Sequence, residues 1–338
     1  AAGGFTYVMR TRRSQSSSNP MPSPSGARTS DGHRTVLLQE AVEHLSLKRN
    51  DVVVDGTLGG AGHALAIAKQ LGVGGTLIGV DADIDAVSRA RDVLADAHAP
   101  GEIGSPVPLT GDGPTVILIN DNFRNLKTAL ASVRVSGVDK VLFDLGWSQF
   151  QLSAGRGFSF QSDEPLSMTY SKSQALTAST IVNEWAEESL RDILFGFGEE
   201  RYARRIAERI VRERETKEIK TARDLAEIVR AAVPAVYRHG KIHPATKTFQ
   251  ALRIAVNDEF GALRAGMDAA WELLRSKGRL AIISFHSSED RIVKHRFAEW
   301  AHEGQGTLVT RRPITPSERE VKDNPRSRSA KLRVIEKI

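Results

Sequence analysis

The chain has 338 residues, 40% of them hydrophobic and 26% charged, ordinary globular values with material for a real core. It holds no cysteine, which excludes disulfides, cysteine zinc ligands and a thiol nucleophile, and no apolar run approaches the roughly 18 residues that cross a bilayer. The net charge of +6 is uneven: residues 1–30 carry Arg10, Arg12, Arg13 and Arg28 without an acid, residues 311–338 are also basic, and the body between is slightly acidic. Basic ends of this kind suit a polyanionic partner.

Residues 1–30 are rich in Ser, Arg, Gly and Pro, cannot bury enough apolar surface to order themselves, and have the acid-free composition of an organellar targeting segment. From His33 the pattern becomes regular. "TVLLQEAVEHL" (35–45) reads as an amphipathic helix and "DVVVD" (51–55) as a buried strand. "HALAIAKQL" (63–71) is a helix, "TLIGVD" (76–81) a strand and "IDAVSRARDVLADA" (84–97) a helix. Residues 99–115 carry Gly and Pro throughout and are expected to form a loop, followed by strands "VILIN" (116–120) and "KVLFDL" (140–145). Alternation of strand and helix predicts an α/β fold with a parallel, doubly wound sheet.

Between Gln151 and Pro244 the pattern is helical without a convincing strand. A long helix is then expected, with apolar residues at 249, 252, 256, 260, 263, 267, 270 and 274, before a fifth strand, "GRLAIISFHS" (278–287). This divides the chain into an extension (1–30), an α/β domain (31–150 and 245–338) and a helical insertion (151–244).

The first strand ends on Asp55, and Gly56, Gly59, Gly60 and Gly62 then let the backbone approach a ligand closely. Asp81 closes the second strand, where a carboxylate can accept hydrogen bonds from ribose hydroxyls. The glycines do not fall in the dinucleotide register G-x-G-x-x-G and no G-K-[ST] follows, leaving S-adenosylmethionine or a dinucleotide as the ligand and excluding a P-loop. Asp81, Asp83 and Asp85 resemble the start of a calcium loop, but Ala86 occupies the position that needs glycine. His239 and His243 beside Pro244 read as a loop pair, so no metal site is expected. A Ser–His–Asp hydrolase built from Ser284, His286 and Asp290 lacks the G-x-S-x-G elbow.

The fourth strand ends in "FDLGWSQFQL" (143–152), which places Asp144 on the same sheet edge as Asp55 and Asp81. An aromatic ring delocalises the lone pair of a nucleobase amine, so an acceptor such as Asp144 that bonds an amine hydrogen would aim that lone pair at a methyl donor. Trp147 could stack the base. Arg201, Arg205, Arg209 and Arg212 step along one helix face and could follow a phosphate backbone, although Glu208 and Glu213 could pair with them instead. In "RSRSAKLR" (326–333) the cations read as unpaired, making Arg326 and Arg328 the stronger phosphate contacts.

"HRTVLLQEAVEHL", "DGTLGGAGH", "VLFDLGWSQFQL", "RGFSF", "FGEERYARRIAERIV", "HPATKTFQALRIAVNDE", "GRLAIISFHSSEDRIVK" and "NPRSRSAKLRVIEK" follow one another in the order of a known family. Together they resemble the bacterial cytosine-N4 methyltransferases of small-subunit ribosomal RNA and their mitochondrial relatives, from about His33 to the C-terminus. The resemblance implies a class I S-adenosylmethionine-dependent methyltransferase, Rossmann-like, that methylates a cytidine amine of small-subunit rRNA on the ribosomal particle. It implies cofactor contacts at Gly60, Ala61, Gly62, His63, Asp81, Phe123, Asp144 and Gln151, beside Asp55. Under it Asp144 serves the cofactor's amino group, the target base or both. With the targeting-like leader it implies the mitochondrial matrix, the bacterial cytoplasm being the alternative.

The chain departs from the family pattern in three places. "DEPLSMTYS" (163–171) stands where the family reads "DGPLDMRMD", so Ser167, Thr169 and Ser171 replace an acid, an arginine and a second acid. Trp147 replaces a small residue, and Ala61 a glycine. These losses motivate a second expectation, a small-subunit assembly factor with weak or no catalysis.

Overall fold

The computed structural model describes residues 34–97, 107–108, 113–146, 155–160, 163–171, 174–240 and 242–338. The expectations for residues 1–30, Trp147 and Gln151 lie outside the described residues.

Helix α1 (Leu38–Leu45) leads into strand β1 (Val52–Asp55), α2 (Gly62–Ala68), β2 (Thr76–Asp81), α3 (Ile84–Ala97), β3 (Val107–Pro108) and β4 (Thr115–Asn120). A single 3-10 turn, Phe123–Asn125, precedes α4 (Leu126–Ser132) and β5 (Val138–Asp144). Helices α5 (Ala178–Glu184), α6 (Glu187–Gly196), α7 (Ala203–Arg214), α8 (Ala222–Ala232), α9 (Ala235–Arg238) and α10 (Thr246–Asn257) follow. Then come α11 (Glu259–Leu273), β6 (Leu274–Ser284), α12 (Ser287–His302), β7 (Gly306–Leu308), α13 (Glu318–Asp323) and β8 (Lys331–Lys337).

The strands form one sheet in the order β3-β4-β2-β1-β5-β6-β8-β7. The five central strands are parallel, while β3, β7 and β8 pair antiparallel at the edges. Parallel strands covered on both faces read as continuous apolar runs, and here alternate residues feed opposite cores. Val53, Leu77, Leu142 and Ile283 pack beneath α1, α2 and α3. Val54, Ile78, Phe143 and Ile282 pack against Leu126, Leu263, Met267 and Phe297 on the other face. Strand order reverses at β1, which has β2 and then β4 on one side and β5 on the other, and such a switch point opens a crevice at the carboxyl ends.

A separate apolar cluster joins Phe158, Leu166 and Met168 to the helices from α5 through α10, including Ile181, Leu194, Ile206, Leu225 and Phe249. The whole of this helical unit lies between β5 and β6 in the sequence. Among the described residues no helix is long and apolar enough to cross a membrane.

Several expectations need correction. The periodic stretch 249–274 is two helices, because Asp258 takes a left-handed conformation with φ of 45° and breaks the ladder. The apolar spacing runs on across the break because α10 feeds the helical core and α11 the sheet core. The fifth strand begins at Leu274 and ends at Ser284, and His286 is instead the N-cap of α12. The expected 99–115 loop contains Val107 and Pro108 of β3, paired with Val116 and Thr115. The C-terminal "tail" is in part strand β8, seated between β6 and β7, and its Lys331 and Arg333 are both paired with Asp290 at 3.1 and 2.7 Å.

Candidate active site

Strand β1 ends at Asp55, and the turn after it reaches α2 through two residues in the left-handed region, Gly59 (φ 49°) and Ala61 (φ 61°). Glycine adopts that region freely, whereas alanine pays roughly 1–2 kcal/mol for it. Gly62 is required for another reason: a β-carbon there would lie 1.8 Å from Thr35 Oγ1. The segment before α1 therefore presses directly onto the glycine turn.

Asp81 is fixed by backbone amides on both carboxylate oxygens. Gly59 N donates to Oδ2 at 3.0 Å and Asp83 N to Oδ1 at 2.9 Å, tying the end of β2 to the glycine turn. Asp144, at the end of β5, accepts from Gly146 N at 3.2 Å and lies 3.5 Å from His63 Nδ1, while its own amide donates to Thr57 Oγ1 at 2.6 Å. Asp55 is 1% exposed; its Oδ1 accepts from Thr57 N, and its Oδ2 has no partner.

Burial lifts all three carboxyl groups out of their usual range. Asp55 is pushed well up, by burial first and then by the negative charges of Asp144 and Asp81, against the Thr57 amide bond. Asp81 rises to about 6 by burial, partly offset by its two amide bonds. Asp144 rises to about 7 by burial, with Glu289 adding to it. Asp81 and Asp144, held at one sheet edge on the cavity surface, create a site for a cation and for hydroxyl donors, whereas Asp55 does not line the cavity.

A cavity of about 700 Å³ opens over this edge, the size of a small-molecule site. One wall is the glycine turn with His63, Asp81, Phe123 and Asp144; Gly60 belongs to the same wall. The facing wall comes from the helical unit and the segment leading into it: Phe158, Phe160, Met168, Tyr170 and Phe249. Ala61 itself is buried behind the turn rather than on the cavity surface. Arg326 and Arg328 are exposed at the rim.

The second wall is held by residues that pattern reading did not single out for the site. Arg156 Nη2 donates to Asp83 Oδ2 at 2.8 Å, a pair 12% and 3% exposed, and Nη1 donates to the Thr169 and Tyr170 carbonyls. Asn257 completes the frame: its Oδ1 accepts from Tyr170 N at 2.9 Å and its Nδ2 donates to Met168 O at 2.8 Å. Buried Arg253 binds Glu259 through two bonds of 2.7 and 2.9 Å, and Tyr170 Oη donates to the same carboxylate. The "RGFSF" and "RIAVNDE" blocks contained these residues, but nothing in their spacing shows that they meet across 73 or 89 positions of chain.

The altered loop keeps only some of its substitutions off the cavity, since Tyr170 stands where the family reads methionine. Met168 (φ 57°) and Tyr170 line it, whereas Ser167 and Thr169 do not, and their hydroxyls lie 3.0 Å apart, bonded to one another. Glu259, His286 and Glu289 each bring one metal-capable atom within 4.8 Å of the others. The Arg253 guanidinium already balances Glu259 there, and Glu289 is occupied as a cap, accepting from Phe285 N at 2.8 Å with His286 Nε2 3.0 Å from its other oxygen.

On the basic helix, pairing with an interleaved acid occurs at Arg209. Arg201 precedes α7, is exposed, and stacks over the rings of Tyr202 and Tyr237 at 4.6 and 5.2 Å. Arg205 is exposed on α7, and Arg209 pairs with Glu213 at 2.6 Å, so the four arginines do not form one free face.

These features fit S-adenosylmethionine: Asp81 and Asp144 for its hydroxyls and positive groups, a glycine turn at the strand switch point, and a cavity of about 700 Å³ over both. Over residues 30–338 the chain matches the model of the MraW methylase family. It is 44% identical over 322 residues to ribosomal RNA small subunit methyltransferase H of Acetivibrio thermocellus, covering 90% of this chain and 99% of the relative. The protein of the same name from Brevibacillus brevis is 41% identical over 322 residues, covering 90% and 98%. Among solved structures, a Streptococcus mutans protein in complex with SAH aligns with a TM-score of 0.41 and 12% identity, over 90% of this chain and 100% of that one. The chain belongs to the MraW methylase family and takes S-adenosylmethionine as its methyl donor.

Proposed function

We propose that this protein methylates the N4 amine of a cytidine in small-subunit ribosomal RNA, acting on the assembling particle. The observation that carries the reading is Asp144, a carboxyl group with a pKa of about 7 at the end of β5, in a cavity whose opposite wall is aromatic. The names of the relatives, small-subunit rRNA methyltransferases, point the same way.

Bound S-adenosylmethionine supplies an electrophilic methyl group. The protein's share is to place the amine in line and to handle its proton. As the N4 nitrogen gains a methyl it must lose a proton, and a carboxylate titrating near neutrality is matched to accept one. Asp81 is assigned to the ribose hydroxyls, with Gly60, Gly62, His63 and Phe123 around the cofactor. Phe158, Phe160 and Phe249 make the wall facing Asp144 apolar, the side to which the target base is assigned. Arg326 and Arg328 at the rim, with Arg201 and Arg205 on the helical unit, are assigned to phosphates, which makes that unit the substrate-recognition part. The Arg/Ser-rich, acid-free composition of residues 1–30 supports a mitochondrial matrix setting, the bacterial relatives a cytoplasmic one.

The test is methyl transfer from labelled cofactor to purified small subunits, with digestion to nucleosides and mass measurement of N4-methylcytidine. Transfer to that nucleoside, abolished in Asp144→Ala, is the expected result. Particle binding with intact cofactor affinity and no transfer would establish the assembly-factor reading instead.

A further inference from the structure

We propose that Gly266, in the middle of α11 and off the cavity surface, is a positioning residue for the cofactor that acts through Phe123. Phe123 lines the cavity just after β4, and its ring lies directly against Gly266. A β-carbon at 266 would fall 2.4 Å from Phe123 Cδ2 and 2.8 Å from Cε2, closer than such atoms approach. Gly266 is buried within the regular helix Glu259–Leu273, and its φ is not in the left-handed region. Glycine is the least helical residue after proline, so local structure gives no reason for one in mid-helix. The Phe123 ring does.

That ring is confined on its other sides. Phe143, wholly buried, has its ring centroid 4.9 Å from that of Phe123 at an interplanar angle of 33°. Phe143 in turn fills the space over Gly56, where a β-carbon would lie 2.4 Å from Cε1. The backbone is tied down as well. Arg124 Nη2 donates to Asp258 O at 2.9 Å and to Asp258 Oδ2 at 2.8 Å, joining the turn that carries Phe123 to the start of the helix that carries Gly266. A methyl group at 266 would therefore turn the ring toward the cavity that it already lines.

The sheet says what the ring would meet there. Asp81, assigned to the ribose hydroxyls, closes β2, and β2 lies between β1 and β4. The amino-acid tail carries an ammonium group, which draws it toward Asp144, at the end of β5 on the far side of β1. The purine then lies on the opposite side of Asp81, toward Phe123. Two absent side chains, at 56 and 266, thus seat the aromatic pair and set the width of the purine slot.

The inference rests on this placing of the cofactor and is read by binding alone. Calorimetry would compare S-adenosylhomocysteine with methylthioadenosine, which keeps the purine and ribose but lacks the amino-acid tail. The proteins are the wild type, Gly266→Ala, Phe123→Leu and the double variant, each with its ligand-free melting temperature. Gly266→Ala is expected to lose about tenfold on both ligands, the upper end of what one aromatic contact is worth. In the Phe123→Leu background the shorter side chain leaves room, so adding Gly266→Ala should change neither affinity by more than about twofold. A loss confined to S-adenosylhomocysteine, an equal loss in both backgrounds, or no loss in Gly266→Ala overturns the proposal. If Gly266→Ala alone failed to fold, the double variant decides against Phe123→Leu: equal affinities uphold the proposal and a further loss overturns it. A wild type that bound neither ligand would instead overturn the cofactor assignment itself.

Discussion

Asp83→Asn isolates the ion pair that bolts the substrate-side wall to the cofactor-side wall. The substitution is nearly isosteric, and asparagine caps a helix as well as aspartate, so the bond from Asp85 N (3.1 Å) at the start of α3 is retained. What disappears is the charge opposite Arg156. With side chains 3% and 12% exposed this is a buried pair, and removing one partner of such a pair typically costs about 3–5 kcal/mol. Arg156 keeps the carbonyls of Thr169 and Tyr170, which places the cost at the lower end, about 3 kcal/mol, or a factor of roughly 150 in an equilibrium constant. Urea unfolding of wild type, Asp83→Asn, Arg156→Met and the double variant yields the coupling energy directly. Hydrogen exchange would report the local effect, with faster exchange expected at the Met168 and Tyr170 amides, which now donate to Arg156 O and Asn257 Oδ1. A coupling energy under about 0.5 kcal/mol, the value of an exposed pair, would refute the view that this contact joins the two walls.

Ala61→Gly relieves a left-handed alanine at a cost in unfolded-chain entropy, for a net gain of about 0.5–1 kcal/mol, visible as a small rise in melting temperature. Because the folded pKa of Asp144 lies above its unfolded value, its penalty is absent at pH below the unfolded value near 4 and complete above about 7. Stability of the ligand-free protein therefore falls across that window, and Asp144→Asn is expected to flatten the profile in denaturant titrations. A sulfonium favours the ionised carboxylate, so S-adenosylmethionine should gain affinity over S-adenosylhomocysteine from pH 6 to 8, with protons released near pH 7, measurable by calorimetry in two buffers. Reversing Arg326 and Arg328 to Glu lowers RNA affinity and the slope of log affinity against log salt by about one per lost phosphate contact, while leaving cofactor binding intact. An unchanged slope would remove both residues from the RNA interface.

Much of the scaffold was legible because its strands are short apolar runs separated by amphipathic helices, and α3 and β2 begin and end where the pattern places them. The positions of Asp81 and Asp144 at the cavity were legible too, since both lie at the carboxyl ends of parallel strands, whereas Asp55, closing β1 in the same way, is buried and does not line the cavity. Pattern fails where an interaction is remote in sequence. Lys331 and Arg333 looked like free cations because their partner, Asp290, lies 41 and 43 residues away. Arg156 looked like one basic residue among many until folding set it against Asp83 in a dry contact. The break at Asp258 was hidden because two helices facing different cores preserved one spacing. The substitutions at Ser167 and Thr169 read as changes to a substrate surface, and pattern could not show that these two hydroxyls bond one another off the cavity while Met168 and Tyr170 line it.

The clasp formed by Arg34, Leu37, Glu320, Asp323 and Asn324 joins the first and last parts of the described chain. A ribosome makes residues 320–324 some 283 to 290 positions after the segment they hold. While the chain is being made, the glycine turn and all three acids can be in place, yet the segment above them has nothing to fasten it. Strand β8, which follows the clasp, must also emerge before β6 has its second neighbour. The segment above the glycine turn is thus held only once residues 320–324 have been made and docked, so a chain lacking them leaves that side of the cavity unfastened.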